Sequence, residues 1–501
     1  MPQLSRIAIL CGLLLVLPAT ARAQKLTMSF NSLVAHDVNR AFLRVSNRGG
    51  FGLALGDADG GNFPEGTLNR YIFGAGLWVG GIGDVDGNGQ PDRVTTIGYN
   101  PSNLSDLEWI EGTVAFGRND PRFRVLDSTN PNDQNDFPTT PVANQELFTA
   151  YGDRFSTFGT GQASVPLGVE VRQRSFAFTE VDLNTAVIFQ WDFLNISDQI
   201  RDTGYTIEDL WTGIVLDPDI QVSPVGSVLD DTAAPLTVDG EDVLLIWDSD
   251  FSEPGFEGAP GFMAVVPLVN PGGQTTITQM TSQFGADVRI VPTNDADQYD
   301  TLAGIAPRDP TIVEPGFDLR ALVGWGAIDL APGAVHRTAA AFVWADADGE
   351  PPTFLSPLDP TLDEDLPLLS DLVARVRSVR QVYDQQLAGL PALLDFPGGP
   401  PPGPGPGAGE PGVVLQNFPN PFTDQTTIQY SIVDAANVQL KVFDIAGREV
   451  TTLADGFLEP GGYSATWDGR STLGVDVPAG VYVIQLVTPA GTSTVRGLKA
   501  R

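Results

Sequence analysis

Cysteine is almost absent from this chain of 501 residues: the one cysteine, Cys11, lies in the N-terminal apolar run Ile7 to Leu17. Beyond that run there is no thiol, which excludes disulfides, thiolate nucleophiles and Cys-based metal sites together. Histidine is as scarce. His36 and His336 stand alone, so a His-Glu-x-x-His zinc helix cannot form, and each is expected to be an ordinary strand residue rather than a catalytic base. Neither a Gly-x-Ser-x-Gly nucleophile elbow nor a Gly-x-x-x-x-Gly-Lys phosphate loop occurs. Only Lys25, Lys441 and Lys499 represent lysine, and the formal net charge is −34. Such a surface offers nothing to neutralise a run of phosphates, which excludes a nucleic-acid partner. It would be tolerated best where salt or calcium screens its self-repulsion. Long apolar runs are missing too: residues 7–17 are too few to span a bilayer, and nothing later is long and apolar enough.

What is present is the vocabulary of a turn-rich β protein, with 55 glycines, 40 prolines, 42% hydrophobic and 18% charged residues. The length allows two or three domains. Residues 1–23 have a basic n-region, a short apolar h-region and an Ala-x-Ala site at Ala21–Ala23, the pattern of a secretory signal peptide cut before Gln24. Residues 24–396 form a β-rich region of one or two subdomains. Its clearest strand runs from Thr185 to Ser197, with Val187, Phe189, Trp191 and Phe193 on one face. The polar stretch 100–165 is expected to be long surface loops with few strands. A helix is expected between Asp365 and Gly389, where Leu369, Leu372, Val376, Val379, Tyr383 and Leu387 recur at steps of three or four. Its other face carries Arg375, Arg377 and Arg380, expected to be solvated. Residues 397–412 are a Pro/Gly linker with an accessible backbone. From 413 to 501, half a dozen or more short period-two strands separated by glycine turns predict a small Ig-like sandwich. The fold class is therefore mainly β: a large sandwich-type central domain with one C-terminal amphipathic helix, a linker, and a small Ig-like sandwich.

The last stretch also carries five blocks in order. Asn417-Phe418-Pro419-Asn420-Pro421-Phe422 comes first, then Thr426-Thr-Ile-Gln-Tyr430. Val442-Phe-Asp-Ile-Ala-Gly447-Arg-Glu-Val450 and Thr466-Trp467-Asp468-Gly469-Arg470 follow, and Pro478-Ala-Gly480-Val-Tyr482 is last. This order resembles the type A C-terminal sorting domain of the type IX, or Por, secretion system, which is similar in turn to the Ig-like domain of flagellar hook-capping proteins. The basic ending, Arg496, Lys499 and Arg501, fits that resemblance. The resemblance implies passage through the periplasm, recognition of 413–501 by an outer-membrane translocon, and removal of that domain in or near the linker by a sortase-like protease. It also implies attachment of the mature protein to anionic lipopolysaccharide, at the cell surface, or its release. In the central region, Asn47-Arg48-Gly49, the Phe73 to Gly81 block, Trp211 to Asp219 and Leu330-Ala-Pro-Gly333 resemble blocks in uncharacterised exported proteins with the same ending, which implies a shared fold and no particular activity.

The sharpest chemical motif is Asp84-Val85-Asp86-Gly87-Asn88-Gly89-Gln90-Pro91-Asp92. Oxygen donors at alternate positions with a glycine at the sixth are the pattern of a Ca²⁺ loop, with Gln90 offering its carbonyl. Thr95 stands where an EF-hand would place its bidentate acid, so the expected role is structural, a rigidified loop. A weaker pair, Asp217 and Asp219, ends a strand near Asp230 and Asp231. Asp57 with Asp59, Asp248 with Asp250 and Asp346 with Asp348 repeat its spacing, and in so acidic a chain such pairs are expected mostly as solvated turns. The functional expectation for 24–396 is a structural, adhesive or binding role. The alternative is a carbohydrate-active protein using Glu180, Asp192 and Glu208 beside Trp191 and Trp211, because glycoside chemistry needs only paired carboxylates and sugar binding uses aromatic platforms.

Overall fold

A computed structural model describes residues 24–25 and 33–499, except 54–59, 102–107, 112–124, 134–136, 154–165, 201–203, 223–226, 282–290, 306–317, 360, 393–414, 419–421, 423–425, 433–435, 445–447, 459–460, 473–474 and 490. The expected signal peptide and the linker 397–412 lie outside these residues, as do Pro419, Asn420, Pro421 and Gly447. The chain divides into two compact units, Thr27–Ala408 and Gly409–Arg501 together with Met1–Leu26.

In the larger unit the strands of four or more residues are β1 (Leu33–His36), β2 (Phe42–Ser46), β3 (Arg70–Gly83), β4 (Asp92–Ile97), β5 (Gln145–Gly152), β6 (Val169–Ala177) and β7 (Ala186–Asn195). They continue with β8 (Ile207–Gln221), β9 (Asp231–Val238), β10 (Glu241–Asp248), β11 (Phe262–Val269), β12 (Gln274–Thr281), β13 (Leu319–Leu330) and β14 (Val335–Ala345). Two nine-stranded sheets result. One runs β9-β10-β11-β14-β7-β6-β5; the other runs β12-β13-β8-β3 and reaches β2 and β1 through Gly50–Phe51. Every pairing described within these two sheets is antiparallel, and although Ala331-Pro332-Gly333 has the composition of a hairpin turn, β13 and β14 belong to different sheets, so it carries the chain from one sheet to the other.

Alternation along the strands decides what lies between the sheets. Val187, Phe189, Trp191 and Phe193 of β7 face Leu77, Val79, Ile214, Leu216 and Val323 of the other sheet in one buried cluster. Phe189 stacks on Trp191 with centroids 5.3 Å apart, and Phe342 and Trp344 extend the seam. Each such side chain removed from water contributes about 1.5–3 kcal/mol. The odd-numbered face of β7 thus fills the sandwich as its period predicts.

The outer faces are covered by helices. A 3₁₀ turn at Pro367–Leu369, the helix Ser370–Val382 and a π turn at Tyr383–Leu387 run continuously, and Leu369, Leu372, Val376, Val379, Tyr383 and Leu387 are buried against Ile188, Leu245, Val266 and Val343. The proline at the first position costs no hydrogen bond there. The arginines opposite are not simply solvated. Arg375 pairs with Asp371, and Arg377 pairs with Asp239 and Glu364, while Arg380 donates to the Val238 carbonyl. A second helix, Asp295–Leu302, is capped by Asn294, whose side chain accepts from the Asp297 amide. It sets Tyr299 and Leu302 against Trp78, Trp211 and Leu322 on the other outer face.

The stretch 100–165 departs from expectation: β5 lies within it and is buried at all eight positions. Gln145 sits inside because its amide serves the Ala35 carbonyl and faces His36, polar partners that hydropathy does not register.

The smaller unit contains β15 (Leu415–Phe418), β16 (Thr426–Ile432), β17 (Ala436–Asp444), β18 (Glu449–Leu458), β19 (Gly461–Trp467), β20 (Gly480–Thr488) and β21 (Gly491–Lys499). They form two four-stranded sheets, β18-β17-β20-β21 and, with Gln24–Lys25 at its edge, β19-β16-β15. Ile428, Tyr430, Val438, Leu440, Val442, Ile484 and Leu486 make their shared core.

Candidate functional site

The residues expected to matter fall into four groups, which the fold treats differently.

The loop joining β3 to β4 carries Asp84 to Asp92. Val85 is buried in the main core and pins the loop, and Gly87 and Gly89 supply the positive φ its turns need (+76° and +82°). Three of its oxygens serve its own backbone: Asp84 Oδ1 accepts from Gly89 N at 3.1 Å, Asp86 Oδ1 from Asn88 N at 3.0 Å, and Asn88 Oδ1 from Gln90 N at 2.7 Å, while Asp92 Oδ2 is buried without a hydrogen-bond partner. Two groups of three acidic residues converge within 4.8 Å among the described residues, and Asp84, Asp86 and Asp92 are in neither.

The converging groups lie elsewhere. Asp217 and Asp219 meet Asp318, and Asp230 meets Asp248 and Asp250. The first group is built by sheet register. Leu216 of β8 pairs with Ala321 of β13, which brings Arg320 beside Asp217, and Gln221 pairs with Arg70 of β3. Arg320 contacts Asp217 at 2.6 Å and chelates Asp318 with both terminal nitrogens, while Arg70 donates to Asp219 at 3.0 Å. Tyr99 donates to Asp217 at 2.8 Å. The tyrosine can reach across β3 because Gly74 and Gly76 lie beneath it; a Cβ on either would come within 2.4–2.5 Å of its atoms. Burial pushes Asp219 up to about 6 despite Arg70, and raises Asp217 against the opposing Arg320 charge.

The second group begins where the first stops. The Ile220 amide donates to Asp231 Oδ2, and Asp231 lies directly across from Asp248 in the β9–β10 pair. Asp231 and Asp248 are fully buried. The turn after β10 folds back through Phe251, whose φ is +57° and whose ring packs on Phe262. That turn places Asp250 and Glu253 beside Asp248. Burial, then the charge of Asp219, holds Asp231 well above the usual carboxylate range. Burial and the charges of Asp230 and Asp250 lift Asp248 to about 7, and burial lifts Glu253 to about 8 although the Ser227 amide opposes it. No lysine, arginine or histidine among the described residues pairs with Asp230, Asp231, Asp248, Asp250 or Glu253. The band therefore has an arginine-compensated end and an end with no cation of its own. Asp217 with Asp219, and Asp248 with Asp250, were visible as pairs in the sequence. Asp318, Arg70, Arg320, Tyr99 and Glu253 were not, although the run Asp248-Ser-Asp250-Phe-Ser252-Glu253 repeats the alternate-oxygen pattern and could have been noticed.

The sugar-platform residues are not arranged for that task. Trp191 and Trp211 are buried, Trp191 donating to Gln173 Oε1 at 2.8 Å, and Asp192 is held by two hydrogen bonds from Arg337. Glu180 and Glu208 are exposed. Both histidines lie in strands. Burial lowers His36 to about 3 and His336 to about 4, so both are neutral at physiological pH.

In the smaller unit the motif residues with described side chains are packing and turn residues. Trp467 lies 5.3 Å from Phe422 and 5.0 Å edge-on from Tyr482, whose hydroxyl donates to the Pro478 carbonyl. Asp468 Oδ1 accepts from Arg470 N, Gly469 takes φ +70°, and Gly480 opens β20. The chain ending is less free than its charge suggests. Lys499 is buried, donating to the Gly469 and Val477 carbonyls and to Asp476, and a side chain at Gly469 would come within 2.8 Å of it.

Comparison with known proteins bears on this smaller unit most. The FlgD Ig-like domain family matches residues 422–491. Among solved structures the chain is similar to a polysaccharide lyase, at 8% identity and a TM-score of 0.19, covering 70% of this chain and 39% of that one. It is also similar to dimeric latent PorU from Porphyromonas gingivalis, at 10% identity and a TM-score of 0.16, covering 72% of this chain and 32% of that one. The chain thus spans well under half the length of either structure. No curated protein matches it.

Proposed function

We propose that this chain is an exported protein in which residues 413–501 are the address and residues 24–396 the delivered part. The observation that carries this reading is the FlgD Ig-like match over 422–491, in a unit whose core is its own. In this reading the signal peptide 1–23 takes the chain to the periplasm, and the outer-membrane translocon of the type IX system recognises the Ig-like unit. A sortase-like protease then cuts in or near 397–412, and the product is joined to anionic lipopolysaccharide on the extracellular face or released. The role of the delivered region is structural, adhesive or binding, which agrees with histidines held neutral and tryptophans committed to packing. Structural calcium at Asp84, Asp86, Asn88, Gln90 and Asp92, and a weaker cation position at Asp217 and Asp219, belong to the same proposal.

Truncation after Phe396 tests the address. Surface or extracellular protein should vanish while the truncated chain accumulates in the periplasm; undiminished delivery of the truncated chain overturns the reading.

A further inference from the structure

The uncompensated end of the carboxylate band has the features of a cation site, and it is independent of how the protein is delivered. An oxygen from each of Asp230, Asp248 and Asp250 lies within 4.8 Å of the others. Clustered acids are common on acidic surfaces; here, however, the inner members are inside the protein and have oxygens with nothing to bind. Asp248 is 0% exposed. Its Oδ1 accepts from the Asp250 and Ser252 amides, while its Oδ2 is buried without a hydrogen-bond partner. Asp230 Oδ1 and Asp231 Oδ1 are likewise buried and unpartnered. An unpaired buried carboxylate oxygen is costly, and several together are costlier because their charges repel. Either protons or a metal must relieve this.

We infer that Asp230, Asp248 and Asp250 bind a calcium ion, with Asp231 and Glu253 bordering the site and adding negative charge. The donors are all hard oxygens, with no sulfur or imidazole among them, which excludes the preferences of zinc and copper and leaves calcium or magnesium. Magnesium sheds water reluctantly and is held by one or two carboxylates; three converging carboxylates, two of them with buried oxygens, suit calcium's larger and more variable shell. Exposed Asp250 gives the ion its entry path, and buried Asp248 gives it a dehydrated seat. The ion would join the start of β9 to the end of β10 and the turn that follows, where no arginine does so.

Calorimetric titration of the chelator-stripped full-length protein with CaCl₂ tests the site. Wild type should bind saturably, and Asp84→Asn should keep this binding event. Asp250→Asn, at an exposed position where folding is not in doubt, should weaken it by about 10–100-fold, and Asp248→Asn at least as much, provided its circular dichroism matches wild type. No binding at millimolar calcium overturns the inference and leaves protonation as the way the acids are accommodated. An isotherm unchanged by Asp250→Asn, or abolished by Asp84→Asn, overturns it too.

Discussion

The two ends of the carboxylate band face the same physical problem and meet it differently. Asp217, Asp219 and Asp318 are each paired with Arg320 or Arg70, which arrive on neighbouring strands of the same sheet. Asp230, Asp231, Asp248, Asp250 and Glu253 lie only a short step away, yet no basic side chain among the described residues accompanies them. At the first end, two of the opposing charges are supplied by folding itself. At the second, charge balance depends on what the medium supplies. Burial raises the carboxylates at both ends; what differs is whether the chain itself supplies an opposing cation.

Removing the built-in cation should have the largest effect. Arg320→Met leaves the buried Asp217 and the half-buried Asp318 unanswered, and a loss of about 3–5 kcal/mol in urea unfolding is expected. A shift in midpoint too small to resolve would mean that the two ends are not different in kind.

Next in size is the dependence on pH, measured in chelator. Asp248 at about 7 and Glu253 at about 8 sit above their unfolded values of 3.8 and 4.5. The folded state therefore holds more protons than the unfolded state across this interval. The stabilisation is complete below about pH 4 and is lost as pH rises through about 7 to 8. Melting temperature should fall over that window, and calcium should flatten the fall. A profile that rises over the window, or that calcium leaves untouched, would erase the proposed contrast.

The smallest effect belongs to the exposed pairs. Arg377→Ala removes contacts to Asp239 and Glu364 on the surface of the long helix and should leave the urea midpoint unchanged within error. A clear loss there would show that surface and buried arginines cannot be ranked by burial.

How much of this was visible in the sequence follows from which contacts are local. The helix stripe from Leu369 to Leu387 and the face Val187, Phe189, Trp191, Phe193 are periodic within a few residues, and both stand as their spacing predicts. The Ig-like unit was equally readable, because each strand ends at a turn residue and the strands pair mostly with near neighbours. β5 was hidden partly because its first residue, Gln145, is satisfied by partners about a hundred residues away. The arginine partners of Asp217 and Asp219 were hidden for the same reason: Arg70 and Asp219 are 149 positions apart, and only the order β13-β8-β3 brings them together. The Asp84–Asp92 motif shows the opposite case. Its spacing is conspicuous because it is wholly local, and three of its oxygens also serve the turn's own amides.

One residue on β9 has a consequence for the protein in company. β9 is an edge of its sheet, and Pro235 stands exposed in its middle. Edge strands invite pairing by other chains, since their outward amides and carbonyls are unclaimed. Proline has no amide hydrogen to offer, so an incoming strand meets a gap in the ladder halfway along. The exposed Glu241 and Asp242 at the start of the adjoining strand add repulsion between like copies. Molecules crowded side by side can touch at this border without zippering into a continuous cross-β ribbon.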